Sequence, residues 1–365
     1  MICVKSIDRE TIDSWPIAAS GLPQRVVNSS KFANIRTIGE LRKLTDKELR
    51  VLPGLGAGSI AHIHHFFRIC NEIESGNKRF ANLKTIFDFF LNPIQYDILV
   101  LRYGLQREEM IPSRTYATLQ AIGNKHHICR ERVRQMEEKG KEALSSRLAQ
   151  ICLGEIYNYF ENLIKKNHYV ATPGEVATLQ TLQGLDGYNP CSVLLLLCDC
   201  SRNLLYHNGF FTTLSLHNII EIIEGQAMEF LRANQTPQPL PKILEALANI
   251  PIPANSNLDR GASAARQKII RCVLSHFPYI SATKDDRYFI PETGAPYIVM
   301  EIMRCLPAPI HFRLVMQEFN RLMHHGSRKG AGHILNVLQE NPQFARTSSG
   351  YYKISSSAAD DRRRM

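Results

Sequence analysis

Apolar side chains recur every three or four residues along most of this chain, a spacing typical of helices that bury one face. Between 16 and 75 the periodic segments are short and are interrupted by glycine and proline. A second helical region over 80–148 ends in a long basic helix, and the strongest apolar run of the chain follows at 194–197. The pattern therefore predicts a mainly α protein built from several segments.

An internal repeat links 273–280 to 337–344, which lie 64 residues further on. In both copies the pattern predicts a helix that ends at a proline, then a short strand, a turn and an aromatic strand. Helices followed by a small hairpin are typical of a winged helix, and a weaker third copy ends at the Asn-Gly turn of Asn208. We expect two or three tandem winged-helix-like α+β units, at 150–215, 220–292 and 295–355.

The remaining segments of the chain are short. Residues 1–15 are predicted to form a leader ahead of the first helical region. The segment 74–78, which contains serine and glycine, is predicted to be a hinge between the first two helical regions. The polar tail, 356–365, is predicted to be disordered.

A glycine-rich segment, 53–60, separates two apolar-periodic helices. Gly54 and Gly56 flank an apolar residue, an arrangement that permits a tight turn with positive φ. Ser59 is predicted near the start of the second helix, where free backbone N–H groups attract an anion such as a DNA phosphate. The segment indicates either a helix-hairpin-helix that grips the duplex backbone or a plain helix–helix turn with glycine caps.

The context favours the helix-hairpin-helix, because residues 22–67 closely resemble, without gaps, the C-terminal domain of the RNA polymerase alpha subunit. The resemblance implies binding to A/T-rich DNA, with Arg25 entering the minor groove, where a narrow shape concentrates negative potential. It also places further residues at or beside DNA-contact positions: Asn28, Ser29, Gly56 and Ser59. In two departures from the family, Gly58 replaces a lysine and 19–21 replaces an acidic patch that contacts sigma.

A second motif predicts a helix-turn-helix, with a first helix over 118–123, a turn over 124–128 and a long second helix from Cys129. Apolar residues are spaced to pack the two helices together: Leu119, Ile122, Ile128, Val133 and Met136. The outer face then carries the polar residues Arg130, Glu131, Arg134 and Gln135. At the start of a recognition helix such side chains reach base edges in the major groove, and a solvated helix face with i,i+4 pairs is the alternative.

The wider match favours recognition, because residues 85–147 resemble region 4 of the primary sigma factor. The motifs that carry this resemblance are Arg102-Tyr-Gly-Leu and, further on, Arg130-Glu-Arg-Val-Arg-Gln. The resemblance implies that the outer-face residues read the promoter −35 element and that Lys139 contacts the DNA backbone. Cys129 replaces a threonine of that family, so we expect a weaker helix cap. Nothing in the sequence resembles sigma regions 2 and 3, so a complete sigma factor is not implied.

The net charge of +10 is concentrated in the first 150 residues, which hold 23 Lys/Arg against 16 Asp/Glu. Such an excess favours a polyanionic partner, because each cation on a phosphate releases counterions. The residues from Met1 onward lack a signal-peptide pattern, and no apolar run reaches the roughly 18 residues of a membrane span. Together with nine scattered cysteines, this favours a reducing cytoplasm, free thiols and no membrane partner.

Histidine and cysteine clusters at 62–65, 126–127 and 191–200 lack the paired spacing of zinc sites, so we expect no bound metal. The sequence contains no phosphate-binding loop, nucleophile elbow or nuclease-like acidic cluster. We therefore expect a non-enzymatic protein without a cofactor.

These patterns predict a bacterial DNA-binding regulator of transcription. Its expected modules are a helix-hairpin-helix domain at 16–75, a sigma region 4-like helix-turn-helix domain at 80–148 and the winged-helix-like units. Double-stranded DNA is the expected partner, and the patterns leave the oligomeric state open. The alternative is a protein that binds the RNA polymerase core and mimics or displaces its alpha or sigma modules without needing DNA.

Overall fold

A computed structural model describes residues 2–108, 112–178, 185, 187–201, 203–251 and 259–355, with only the backbone described at 259–262 and 325. The predicted disordered tail, 356–365, lies outside these residues. The chain forms two compact units. The first comprises Met1–Asn167, Ala171–His207 and Phe211–Leu214, and the second comprises His168–Val170, Asn208–Phe210 and Ser215–Met365. Helices dominate both units, which confirms the mainly α prediction.

The elements of the first unit follow one another as short helices and strands. Its first part contains β1 (Ile2–Cys3), α1 (Arg9–Asp13), α2 (Ile17–Ser20), α3 (Gln24–Phe32), α4 (Ile38–Arg42), α5 (Asp46–Val51) and α6 (Ala57–Glu74). The next part contains β2 (Arg79–Phe80), α7 (Leu83–Phe90), α8 (Pro93–Tyr103), α9 (Leu119–His126) and α10 (Arg130–Leu144).

Beyond α10 the chain continues with α11 (Arg147–Cys152), α12 (Gly154–Lys166), β3 (Val170–Ala171), α13 (Pro173–Ala177), α14 (Pro190–Cys200), β4 (Leu204–His207) and β5 (Phe210–Thr213). It then forms α15 (Leu214–Ala233), β6 (Gln238–Pro239), α16 (Leu240–Ala246), α17 (Asp259–His276), β7 (Ser281–Ala282) and β8 (Arg287–Phe289). The final elements are α18 (Pro291–Cys305), β9 (Ile310–His311), α19 (Phe312–Leu322), a 3-10 turn (His325–Ser327), α20 (Ala331–Glu340), β10 (Phe344–Ser348) and β11 (Tyr351–Ile354).

Reciprocal side-chain caps explain where several short helices begin. The Thr45 hydroxyl accepts from the backbone N–H of Glu48, whose carboxylate accepts in return from the Thr45 backbone. Asn92 and Gln95 form the same box at the start of α8, where Pro93 has its φ already set for a first turn. Because each cap satisfies backbone donors that a helix leaves open, it stabilises the helix by about 1 kcal/mol.

The main apolar core of the first unit runs from Ile2 to Phe211. Residues predicted as a leader belong to this core, since Ile12 is fully buried and Trp15 is 3% exposed. Ile2 also pairs with Phe80 in the antiparallel ladder that joins β1 to β2. Residues 2–15 are therefore an integral part of the unit rather than a leader, because apolar side chains among them are buried against distant residues.

The segment predicted as a hinge, 74–78, is held in place. The backbone N–H of Val4 donates to the carbonyl of Lys78 at 3.1 Å. The Lys78 ammonium lies 2.9 Å from the Glu72 carboxylate, and the Lys78 side chain is only 13% exposed. Since β2 follows directly and pairs with β1, the two helical regions belong to one body, which corrects the expected hinge.

The order helix, strand, helix, helix, strand, strand occurs three times between α12 and β11. The corresponding three-stranded sheets have the orders β3–β5–β4, β6–β8–β7 and β10–β11–β9, so the last strand of each set lies in the middle. This recurrence accounts for the sequence repeat. The predicted Asn-Gly turn is present between β4 and β5, where Asn208 has φ 45° and Gly209 has φ 113°, as in a tight hairpin turn.

A buried ion pair joins α8 to α10. The Arg102 Nε donates to the Glu137 carboxylate at 3.1 Å, and Arg102 Nη1 donates to the Ala117 carbonyl at 2.8 Å. The side chains of Arg102 and Glu137 are only 12% and 9% exposed. Because both charges are largely removed from water, each depends on the other for compensation.

Glu137→Ala should lower the free energy of unfolding of the first unit by about 3 kcal/mol, because it leaves the Arg102 guanidinium buried without its counter-charge. Fluorescence of Trp15, the single tryptophan, should report this unfolding in urea, since its ring is buried in the first unit. Glu142→Ala, an exposed glutamate on the same helix, should change stability by less than about 0.5 kcal/mol. Equal losses in the two variants would show that the pair does not hold the helices together.

Candidate nucleic-acid interface

The turn between α9 and α10 lies later than its sequence pattern suggested. Helix α9 continues to His126, and His127 adopts a left-handed conformation with φ 54°. The backbone N–H of Ile128 then donates to the Gly123 carbonyl at 3.0 Å. The turn thus covers 127–129 instead of the predicted 124–128, because Gly123 lets the chain close tightly: a Cβ there would lie 2.6 Å from the Ile128 carbonyl oxygen.

The inner face of this helix-turn-helix forms a small apolar core of its own. Ile122, Val133 and Met136 are buried in it together with Ile98 of α8. Leu119 and Ile128 pack against the same cluster. The predicted packing of the two helices through these apolar residues is confirmed. It orients α10 so that the other face of its first two turns is turned to solvent.

The outer face of α10 carries the polar residues predicted to contact DNA. Arg130, Glu131, Arg134 and Lys139 are exposed, and Gln135 is half-buried. Arg130 and Lys139 form no hydrogen bond or ion pair with any residue that the structure describes. Their charges are therefore available to a phosphate without the loss of an internal contact.

Arg134, in contrast, is bound by two carboxylates. Its Nε and Nη2 donate to Glu131 at 2.9 and 2.7 Å. Its Nη1 donates to the Glu138 carboxylate. Gln135 Nε2 also donates to Glu131, at 3.3 Å. These contacts order the side chains of Glu131, Arg134 and Gln135 on one helical face before any partner is bound.

The same contacts shift two ionisation equilibria. The hydrogen bonds from Arg134, followed by the one from Gln135, lower the pKa of Glu131 from 4.5 to about 2. Hydrogen bonding to Glu131 and the nearby carboxylate of Glu138 raise the pKa of Arg134 above its ordinary value. Glu131 therefore remains an anionic acceptor throughout the physiological pH range.

The start of α10 lacks a side-chain cap. Cys129 occupies the N-cap position, and its side chain accepts no hydrogen bond from the first turn. The expected weak cap is thus confirmed, since a thiol is a poorer acceptor than the hydroxyl it replaces. The open N–H groups of this turn give the helix start a partial positive charge beside Arg130.

The glycine-rich segment forms a tight connection between α5 and α6. Gly54 has φ 79°, and Leu55 is 8% exposed, so its side chain anchors the turn in the core. Gly56 is the N-cap of the 18-residue helix α6, whose first turn has neither a side-chain cap nor an acidic residue. The backbone N–H of the half-buried Ser59 donates to the Gly56 carbonyl at 3.0 Å.

The start of α3 supplies the remaining predicted DNA contacts. Arg25 is exposed and has no hydrogen-bond or ion-pair partner among the described residues. Asn28 is exposed and accepts a hydrogen bond from Gln24 at 2.8 Å. Ser29, however, is 4% exposed, and its hydroxyl is buried without a partner. We therefore withdraw Ser29 as a DNA contact, because a phosphate in solvent has no access to it.

Sequence reasoning missed two charged residues near α10. Glu138 binds Arg134, and its i,i+4 spacing was the available signal. Asp199 of α14 binds Arg114 at 2.6 Å and accepts from the Tyr103 hydroxyl, also at 2.6 Å. The second contact joins positions about a hundred residues apart, so no local pattern indicates it.

Two arginines of α17, in the second unit, are committed to internal contacts. Arg266 of α17 donates to the carbonyls of Leu247 and Ile250 at 2.8 and 2.6 Å, where it closes the end of α16. Arg271 pairs with Asp286 at 2.9 Å. Helix α17 thus presents little unpaired positive charge at these positions.

The described residues contain no group of three or more His, Cys, Asp or Glu side chains placed to hold a metal ion. The nine cysteines are present as free thiols. Among the helices in the described ranges, none has the length and apolar character needed to cross a bilayer. Comparison with known proteins gave no match to a protein-family model, to a curated protein or to a solved structure.

The pKa of Glu131 provides a test of the ion-pair geometry. Because the folded-state pKa is depressed, the pair stabilises the protein above about pH 4.5 and loses this effect as pH falls towards about 2. In Arg134→Gln the pKa of Glu131 should return towards 4.5 in a carbon-13 titration of labelled glutamate carboxyl groups. Arg321→Gln, which removes a similar exposed pair with Glu318, is the control and should leave the pKa of Glu131 unchanged. A Glu131 pKa that is the same with and without Arg134 would contradict the geometry.

Proposed function

We propose that this chain is a bacterial, non-enzymatic transcription regulator that binds promoter-like duplex DNA. The observation that carries the proposal is the two-sided character of α10. Its inner face packs on α8 and α9, and its outer face holds Arg130, Glu131 and Arg134 in solvent. A polar, preordered helix face next to unpaired cations suits a DNA major groove. The proposal places the protein in the bacterial cytoplasm, where promoter DNA is found.

The residue types of this face match the chemistry of base edges. Arginine donates to O6 and N7 of guanine, glutamate accepts from N4 of cytosine, and glutamine pairs with adenine. In this proposal Arg134, Glu131 and Gln135 read a −35-like sequence. Arg130 and Lys139, which lack internal partners, hold phosphates and fix the register.

A second surface of the first unit is proposed to grip an A/T-rich minor groove. Arg25 enters the groove in this interpretation, since its guanidinium is exposed and uncommitted. The uncapped start of α6 at Gly56 and Ser59 contacts a neighbouring phosphate, and Asn28 lies on the same helix as Arg25. Together these elements form the proposed helix-hairpin-helix module.

The three repeats after α11 are proposed to be winged-helix-like units. Their support is the recurring element order and the common strand order of their sheets. We assign the first two a mainly structural role. Helix α14 is almost completely buried. Arg266 donates to a backbone carbonyl, and Arg271 is paired with Asp286.

Binding to RNA polymerase core is the second candidate function. Phe32 and Val51, at the ends of α3 and α5, are 78% and 83% exposed, which favours a protein contact in this region. Recovery of core polymerase by the purified chain, with nuclease present to remove DNA, tests this candidate. Recovery without any DNA affinity would favour it over promoter binding.

Arg134→Ala should weaken binding to a promoter duplex by about 1–3 kcal/mol and relax sequence preference, because a bidentate base contact is lost. Fluorescence anisotropy on cognate and scrambled duplexes across a salt series measures both effects. Arg321→Ala removes an Arg–Glu pair of the same kind from a helix of the second unit and should change neither. Equal losses of Arg134→Ala on both duplexes would argue against base reading.

Arg25→Ala should weaken binding most on duplexes with a narrow A/T-rich minor groove, because the groove potential that attracts the guanidinium is strongest there. We expect the loss on an A/T-rich duplex to exceed the loss on a G/C-rich duplex of equal length by about tenfold, about 1.4 kcal/mol. Arg232→Ala, an exposed arginine on α15, serves as the control. A loss that does not depend on base composition would contradict minor-groove entry.

A further inference from the structure

Every nitrogen of the Arg134 guanidinium is engaged within α10. Nε and Nη2 donate to the Glu131 carboxylate at 2.9 and 2.7 Å. Nη1, which Glu131 does not use, donates to the carboxylate of Glu138. Three of the five N–H donors of Arg134 are thus occupied, so a bidentate contact of Nη1 and Nη2 with a base or phosphate competes with Glu138 for Nη1.

The two carboxylates have different consequences for a DNA contact. Glu131 lies in the first turn of α10, beside Arg130, and its side-on hold orients the guanidinium while Nη1 stays open. Glu138 lies one turn beyond Arg134 and closes that open position. The trio of Glu131, Arg134 and Glu138 carries a net charge of −1, which repels a phosphate. Arg130 and Lys139 carry no such neutralising partner among the described residues.

We infer that Glu138 competes with DNA for Arg134 and so sets how strongly the recognition face of α10 holds a duplex. This inference rests on the proposed promoter binding and adds a residue that limits it. The side chains of Arg134 and Glu138 are 47% and 51% exposed, so breaking this ion pair costs little free energy and DNA binding remains reversible. DNA that offers Arg134 a good acceptor displaces Glu138, whereas DNA that offers only phosphate competes poorly.

A double-mutant cycle on the full-length chain tests the competition. Affinities of the wild type, Glu138→Gln, Arg134→Ala and the double variant are measured by anisotropy on one labelled promoter duplex and on its scrambled counterpart. Glu142→Gln is the matched control, because it removes the same charge from the same helix. Glu142 is exposed and has no ion-pair partner among the described residues.

Glu138→Gln should raise affinity about three- to fivefold in the presence of Arg134, and in the Arg134→Ala background its gain should fall to the small general gain that removal of one negative charge produces. On the scrambled duplex it should also steepen the log–log dependence of affinity on salt by about one, because one more cation is released to phosphate. Glu142→Gln should produce a smaller gain that is equal in both backgrounds.

A gain from Glu138→Gln that is undiminished in the Arg134→Ala background, or that equals the gain from Glu142→Gln in the presence of Arg134, would reduce the effect to general charge and overturn the inference alone. Absence of DNA binding in all variants would overturn the proposed function and the inference with it. Circular dichroism of each variant identifies any loss that arises from unfolding.

Discussion

The burial of one face of α10 is the constraint from which the candidate interface follows. Val133 and Met136 pack with Ile98 and Ile122, and the ion pair of Glu137 with α8 closes the same side. A helix fixed in this way has only its opposite face left for solvent. The positions of Arg130, Glu131 and Arg134 outside the protein are thus consequences of core packing, since a rotation of α10 would bury charges and expose apolar groups.

The charged side chains of α10 differ in whether they have a partner of opposite charge. Its sequence holds five cations and four carboxylates, so its own net charge is only +1. Glu137 is used inside the unit, and Glu131 and Glu138 neutralise Arg134. In the proposed function Arg130 and Lys139, which have no ion-pair partner among the described residues, act at long range on a polyanion, whereas Arg134 responds only when a specific acceptor replaces its carboxylate. Affinity and selectivity can accordingly reside in different side chains of the same helix.

Local pattern was sufficient for the helices and insufficient for what holds them together. Apolar spacing predicted the packing of α9 on α10, because that period is a property of neighbouring residues. The burial of Ser29 was open to the same reasoning, since Ser29 lies three residues after the fully buried Val26 on one helix. The pairing of Ile2 with Phe80 could not be predicted in this way, because a contact between positions so distant in the chain produces no periodic pattern in the sequence. For this reason the sequence pattern suggested a leader and a hinge where the structure has two segments of one compact unit.

That shared core changes how the two proposed DNA-binding surfaces would cooperate. Modules on a flexible linker gain affinity through effective concentration, and they tolerate many spacings of their sites. Here the start of α3 and the start of α10 belong to a single unit, with the former hinge held by Lys78 and by the β1–β2 ladder. A rigid pair of surfaces loses no linker entropy on binding, but it engages both sites only where the DNA presents them at a matching distance and helical phase. In such an arrangement the spacing between an A/T-rich segment and a −35-like element becomes a determinant of specificity in its own right.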